Sequence, residues 1–103
     1  MDQCSRFVLN CVVRRLHYRD AARLIDALPE PLREELLDLP AGPDVTITLY
    51  AIVSALIRRM ELTEPQAQVA LAKFWGWLGE MVEPELQEQI RATLHGDQAR
   101  LVA

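Results

Sequence analysis

An all-α fold is what this sequence predicts: a single-domain helical bundle of two related helical-hairpin repeats. Three observations carry that expectation. Displaced along itself by 66 positions without gaps, the apolar ladder of the first third of the chain falls on that of the last. Val8 then meets Phe74, Cys11 meets Trp77, Val12 meets Leu78, Leu16 meets Val82, Leu24 meets Ile90 and Leu28 meets Leu94, with Leu36 opposite Val102. Side-chain identity is mostly lost while apolar spacing survives, as expected of one supersecondary unit built twice. The spacing itself is helical, with apolar residues three and four apart rather than alternating. Finally, the 103 residues are half hydrophobic and one quarter charged, the balance of one globular domain.

The elements follow in order. Cys4, Val8, Cys11, Val12 and Leu16 make 3–17 an amphipathic helix. Segment 20–28 turns Ala21, Leu24, Ile25 and Leu28 inward and stops at Leu28-Pro29, because proline cannot donate to the helical ladder. Pro31 opens a short helix through Leu39 at a first-turn position where its missing N–H costs little, with Leu32, Leu36 and Leu37 as the apolar side. Pro40-Ala41-Gly42-Pro43-Asp44 is dense in turn formers and reads as a linker, 40–44. A bridging helix, 45–61, follows with Asp44 as N-cap and Leu49, Ile52, Val53, Leu56 and Met60 on one stripe. Thr63, Pro65 and Gln66 form a capping-box start for a long helix from 64 to about 82. Glu83-Pro84 opens another, which His95-Gly96-Asp97 is expected to break, leaving a short turn at 98–103. Repeat unit one thus covers about 4–38 and unit two about 64–103 of a single domain, 1–103.

The run Ala21-Ala22-Arg23-Leu24-Ile25-Asp26-Ala27-Leu28-Pro29, followed by Leu32-Arg33-Glu34, resembles the bacterial and archaeal family catalogued as domain of unknown function 2267. Leu62-Thr63-Glu64-Pro65-Gln66-Ala67 and the segment from Glu85 to Leu94 extend the resemblance over nearly the whole chain. The resemblance implies an all-helical two-repeat fold and no assigned activity. The chain departs from the family pattern twice. Leu94-His95 stands where Leu-Pro is expected, and the first copy lacks the leading helix that 45–61 supplies to the second.

Charge is uneven around a net −4. Residues 1–23 carry five Arg against two Asp, 24–57 carry Arg33 against six acids, and 58–103 carry five bases against seven acids. The longest charge-free run, from Val45 to Ile57, is too short to span a bilayer, and the first apolar stretch is interrupted by Arg6, Asn10, Arg14 and Arg15. The expectation is a cytoplasmic protein with no membrane insertion. Cys4 and Cys11 lie about 10 Å apart along a helix, beyond disulfide reach, and read as reduced core thiols.

The long helix 64–82 supplies the main candidate surface. Ala67, Ala70, Leu71, Trp77, Leu78, Met81 and Val82 fall within about 80° of Phe74 and form a core face. Val69, Ala72, Gly76 and Gly79 make a small, apolar back, interrupted by a narrow polar stripe of Gln66, Lys73 and Glu80, with Trp75 at the margin beside it. A helix apolar nearly all round is covered on two sides, either as the central helix of its own domain or at an interface. The first repeat is also one covering helix short by this reading, so its apolar stripe is expected to need a partner. Arg6, Arg14 and His17 share a face with Asn10 and are the candidate patch for an anionic partner; the plainer alternative is a solvated face neutralised by Asp20, Asp26 and Glu30. A helix-turn-helix reading founders on a recognition helix whose one cation is Lys73.

Nothing points to catalysis, a metal or a cofactor. His17 and His95 have no metal-ligand spacing with Cys, Asp or Glu, there is no Gly-rich phosphate loop, and Glu83, Glu85 and Glu88 favour a helix start. The leading expectation is a non-enzymatic protein–protein interaction module that self-associates, most simply as a homodimer, or docks an unidentified protein partner. The alternative is a nucleic-acid-associated protein using the Arg-rich first helix. The duplication makes a structural prediction of its own. In a crystal structure, hairpins 4–28 and 70–94 should superpose with Val8, Val12 and Leu28 on Phe74, Leu78 and Leu94. Non-equivalent positions at that offset would overturn the repeat.

Overall fold

The computed structural model describes the backbone of residues 2–39 and 43–102, and side chains as far as His95. Its helices are α1 (Gln3–Arg15), α2 (Tyr18–Asp26), α3 (Leu32–Leu37), α4 (Leu49–Arg59), α5 (Glu64–Met81) and α6 (Pro84–Val102). Among the described residues there is no strand.

Side chains start the helices where their orphan N–H groups need acceptors. Asp2 accepts from the backbone N–H of Ser5 at 2.7 Å, a bond that holds its carboxyl below the usual carboxylate range. Thr63 Oγ1 accepts from Gln66 N at 3.3 Å while Gln66 Oε1 accepts from Thr63 N at 2.9 Å, completing the capping box of α5. Both α1 and α5 stop before an extended residue, Leu16 (ψ 149°) and Val82 (ψ 160°). The next helices begin two residues later, at Tyr18 and Pro84, so these ends and starts share the 66-residue spacing. Between α4 and α5 the chain turns through Glu61, whose φ of 54° lies in the left-handed region that glycine favours after a helix.

α1 and α5 pack on each other at the centre; α4 covers both, and α2 and α6 pack together across the other side with α3 against α2. Phe74 heads the fully buried side chains, with Val8, Leu9, Val12, Leu24, Leu28, Ile52, Leu56, Leu78, Ile90 and Leu94 around it. Its ring meets Trp75 edge-on at 5.4 Å and Trp77 at 6.0 Å. The stripe of α1 therefore has no missing partner: Val8, Leu9 and Val12 are wholly buried beneath α4, α5 and α6.

Three local expectations are corrected. The fourth helix begins at Leu49, not 45, and its N-cap is Thr48, which accepts from Ala51 N at 3.1 Å. Asp44 instead accepts from Thr46 N at 3.0 Å and from the Thr46 hydroxyl, closing a turn that takes up the β-branched Val45-Thr46 pair. Those two bonds hold the Asp44 carboxyl below the usual carboxylate range, and its own N–H donates to the Arg14 carbonyl at 2.8 Å, tying the loop to the end of α1. Of the linker 40–44, residues 40–42 lie outside the described residues.

No break occurs at His95-Gly96-Asp97; α6 continues from Pro84 to Val102. The first copy is broken there by Pro29 and Pro31, whereas the matching His95 and Asp97 keep their N–H groups and Gly96 costs only about 1 kcal/mol. On α3, Leu32 and Leu36 are buried but Leu37 is 66% exposed.

The central position of Phe74 sets a scale for stability. Phe74→Ala should cost about 3–5 kcal/mol in urea unfolding, and Thr63→Ala about 1 kcal/mol through the lost cap. A Phe74 variant no less stable than the Thr63 one would mean that the ring is not the centre of the core.

Candidate interaction surface

On α5, positions 71, 74, 75 and 78 turn inward, so 69, 72, 76 and 79 must turn out. Val69 is 64% exposed, and Ala72, Gly76 and Gly79 are exposed as well. The two glycines differ in kind. A Cβ added at Gly76 would meet nothing within 4 Å, so no neighbour among the described residues requires glycine there. A Cβ at Gly79 would come within 3.2 Å of Gln87 Oε1. That glycine makes room for Gln87, whose Nε2 donates to the Trp75 carbonyl at 3.2 Å. At the matching positions of the first unit stand Val13 and Ala21, both buried, so bulk on one helix is exchanged for bulk on the next.

Trp75 does not belong to this surface. It is only 9% exposed, stacked edge-on against Phe74 and covered by the Arg91 guanidinium at 4.7 Å from the ring centroid. At 100° from Phe74 the helix alone leaves its direction open, and α6 decides it by supplying both Gln87 and Arg91.

The basic patch is neutralised rather than assembled. Arg6 pairs with Glu35 at 3.5 Å, tying α1 to α3, and Arg14 pairs with Asp44 at 3.5 Å. These are not the acids expected from proximity in sequence; of those, Asp20 pairs with Arg23 at 4.0 Å and Glu30 with Arg33 at 3.6 Å. His17 caps α2, its Nδ1 accepting from Arg19 N at 3.3 Å, with its ring 4.4 Å from Tyr18. Arg15 donates to the Thr93 carbonyl at 3.4 Å and Arg59 lies 5.7 Å from the Phe7 ring. Exposed pairs of this kind contribute little stability, but they cancel the field a polyanion would feel.

Sequence reasoning missed the surface of α4. A groove of about 360 Å³ runs between α4 and α5, lined by Leu49, Tyr50, Val53, Ser54, Ile57, Glu64, Gln68 and Leu71. Tyr50 stands at its lip, 73% exposed. The signal was present as the apolar run 49–57, in which Leu49, Val53 and Ile57 flank the buried pair Ile52 and Leu56.

A family model described as uncharacterized conserved protein (DUF2267) matches residues 2–101. The chain belongs to this family. Comparison with curated proteins and with solved structures finds no match. Membership in DUF2267 accounts for the fold's extent and leaves the chemistry to the residues themselves. Among the described residues no three His, Cys, Asp or Glu side chains could hold a metal ion. No helix among them is long and apolar enough to cross a membrane.

Cys4 and Cys11 are free thiols, both half-buried. Burial pushes the Cys11 thiol up, against the opposing pull of Arg14 and Arg59, so little reactive thiolate is present at neutral pH. Native protein should therefore label slowly at Cys11, with the rate rising toward alkaline pH and again on denaturation. Labelling of Cys11 in the native state as fast as in urea would contradict its place against the core.

Proposed function

We propose that this protein is a non-enzymatic interaction module that binds a second copy of itself through the outer face of α5. The observation that carries the reading is Gly76. A glycine inside a helix costs about 1 kcal/mol relative to alanine, and here the chain's own packing offers no compensation. Close approach of a second helix would supply one. Val69 and Ala72 extend the same face, and exposed apolar patches on soluble domains favour such covering. Two-fold pairing is the commonest way to cover a face with its own copy, which makes a homodimer the simplest assembly. The free, half-buried thiols fit a reducing compartment and support a cytoplasmic setting.

A nucleic-acid role for α1 draws less support, because Arg6 and Arg14 already hold acids and the chain carries a net −4. An enzyme reading draws less support as well, because among the described residues no three His, Cys, Asp or Glu side chains are grouped as a metal site would need. Light scattering across a concentration series separates these readings. The protein should associate, and raising salt should leave that association intact, whereas polyanion binding would weaken steeply. Gly76→Glu should lower the mass. Gly76→Ala should raise the melting temperature of the isolated chain, by helix propensity of about 1 kcal/mol, while weakening association. A mass that Gly76→Glu leaves unchanged would remove α5 from the interface.

A further inference from the structure

We propose that the outer face of α4 is a second self-association surface, on which two copies meet across a two-fold axis at Ser54 with Tyr50 of each against Arg58 of the other. Of this helix's side chains only Ile52 and Leu56 are buried; Leu49, Val53 and Ile57 are half-buried along the groove, and Tyr50 and Arg58 are exposed. Tyr50, Ser54 and Ile57 line the groove toward α5 and also a shallower one on the other flank, which Arg58 completes. They are thus one continuous ridge.

The occupant is argued from the ridge's own symmetry. Tyr50 and Arg58 stand four residues before and four after Ser54, so all three lie on the same row of side chains, about 12 Å from end to end. An antiparallel copy centred on Ser54 sets an aromatic face opposite a guanidinium twice, once on each side of the axis. A parallel copy would instead set Arg58 against Arg58. Ser54 at the centre is small enough for the helices to approach closely. Among the described residues Arg58 forms no ion pair; its Nε donates to the Ser54 carbonyl at 3.5 Å, leaving the outer face of the guanidinium for a ring. The partner's Tyr50 would come over Ile57, which lines the groove with Glu64.

This surface does not rest on the α5 reading, and separate substitutions test the two. Tyr50→Arg sets like charges together at both ends of the axis, and should weaken self-association about tenfold or more in sedimentation or light scattering. The double variant Tyr50→Arg with Arg58→Tyr exchanges the two partners and should restore association to near the wild-type level. Both positions are exposed, and circular dichroism should show unchanged helix content. If only Gly76→Glu weakens association, the α5 reading stands and this proposal falls; if only Tyr50→Arg does, with rescue by the exchange, the reverse holds. Weakening by both substitutions, with rescue by the exchange, supports two surfaces. A double variant no better than Tyr50→Arg alone overturns the antiparallel pairing, and a monomer at millimolar concentration overturns both.

Discussion

Two helices of unlike amphipathicity, α1 and α5, must bury their apolar faces against each other, and the remaining elements are arranged by that demand. Phe74 lies on the seam with Val8 and Val12 from the opposite helix all wholly buried. Neither helix can close the core alone, because a stripe about 100° wide or more needs cover from more than one neighbour. α4 lies over both helices on one side, and α6 reaches both on the other. The N-termini of the central helices are fixed by side-chain caps, Asp2 on α1 and Thr63 on α5, so where each helix starts is set locally.

That arrangement explains how α1 carries charge on its exterior. α1 has neighbours on its outer side that can answer charge. α3 brings Glu35 to Arg6, and the loop before α4 brings Asp44 to Arg14. Charged residues can therefore sit on the exterior of α1 without an uncompensated field. Among the described residues no ion pair forms along the back of α5, where Val69, Ala72, Gly76 and Gly79 share the exterior with Gln66, Lys73 and Glu80.

The local parts of this fold were legible in the sequence, and the long-range decisions were not. The 3.6-residue period of α1 and α5, the Thr63–Gln66 box and the stop at Leu28-Pro29 depend on neighbours within a turn or two. Asp44 and Thr48 are equally good caps by residue type. What separates them is the anchoring of Asp44 to the Arg14 backbone, thirty residues earlier in the chain. Trp75 sits where periodicity is indifferent, and α6 pulls it inward. The expected break at His95 failed for a different reason: the offset between repeats carries apolar spacing, but a helix stop is a property of proline, which the second copy lacks at that point. Outward Val69, Ala72 and Gly76 could be read from the helical wheel, whereas the α4 groove needed to be seen against α5.

Placing the two units in register sharpens the meaning of the α5 exterior. At the 66-residue offset Gln3 corresponds to Val69, Arg6 to Ala72 and Asn10 to Gly76. At that offset the interior positions are apolar on both helices, as core packing demands. On the exterior the same three positions are polar in one copy and apolar or minimal in the other. A merely solvated helix face has no physical reason to lose polar groups and gain a helix-weakening glycine, since each step lowers solubility or helix stability. Gly79 shows what an internal reason looks like: its missing side chain is filled by Gln87, and the first unit's Val13 and Ala21 divide the same space the other way. Gly76 has no such counterpart among the described residues. The contrast between these two glycines, three residues apart on one helix, is the observation on which the proposed α5 interface rests.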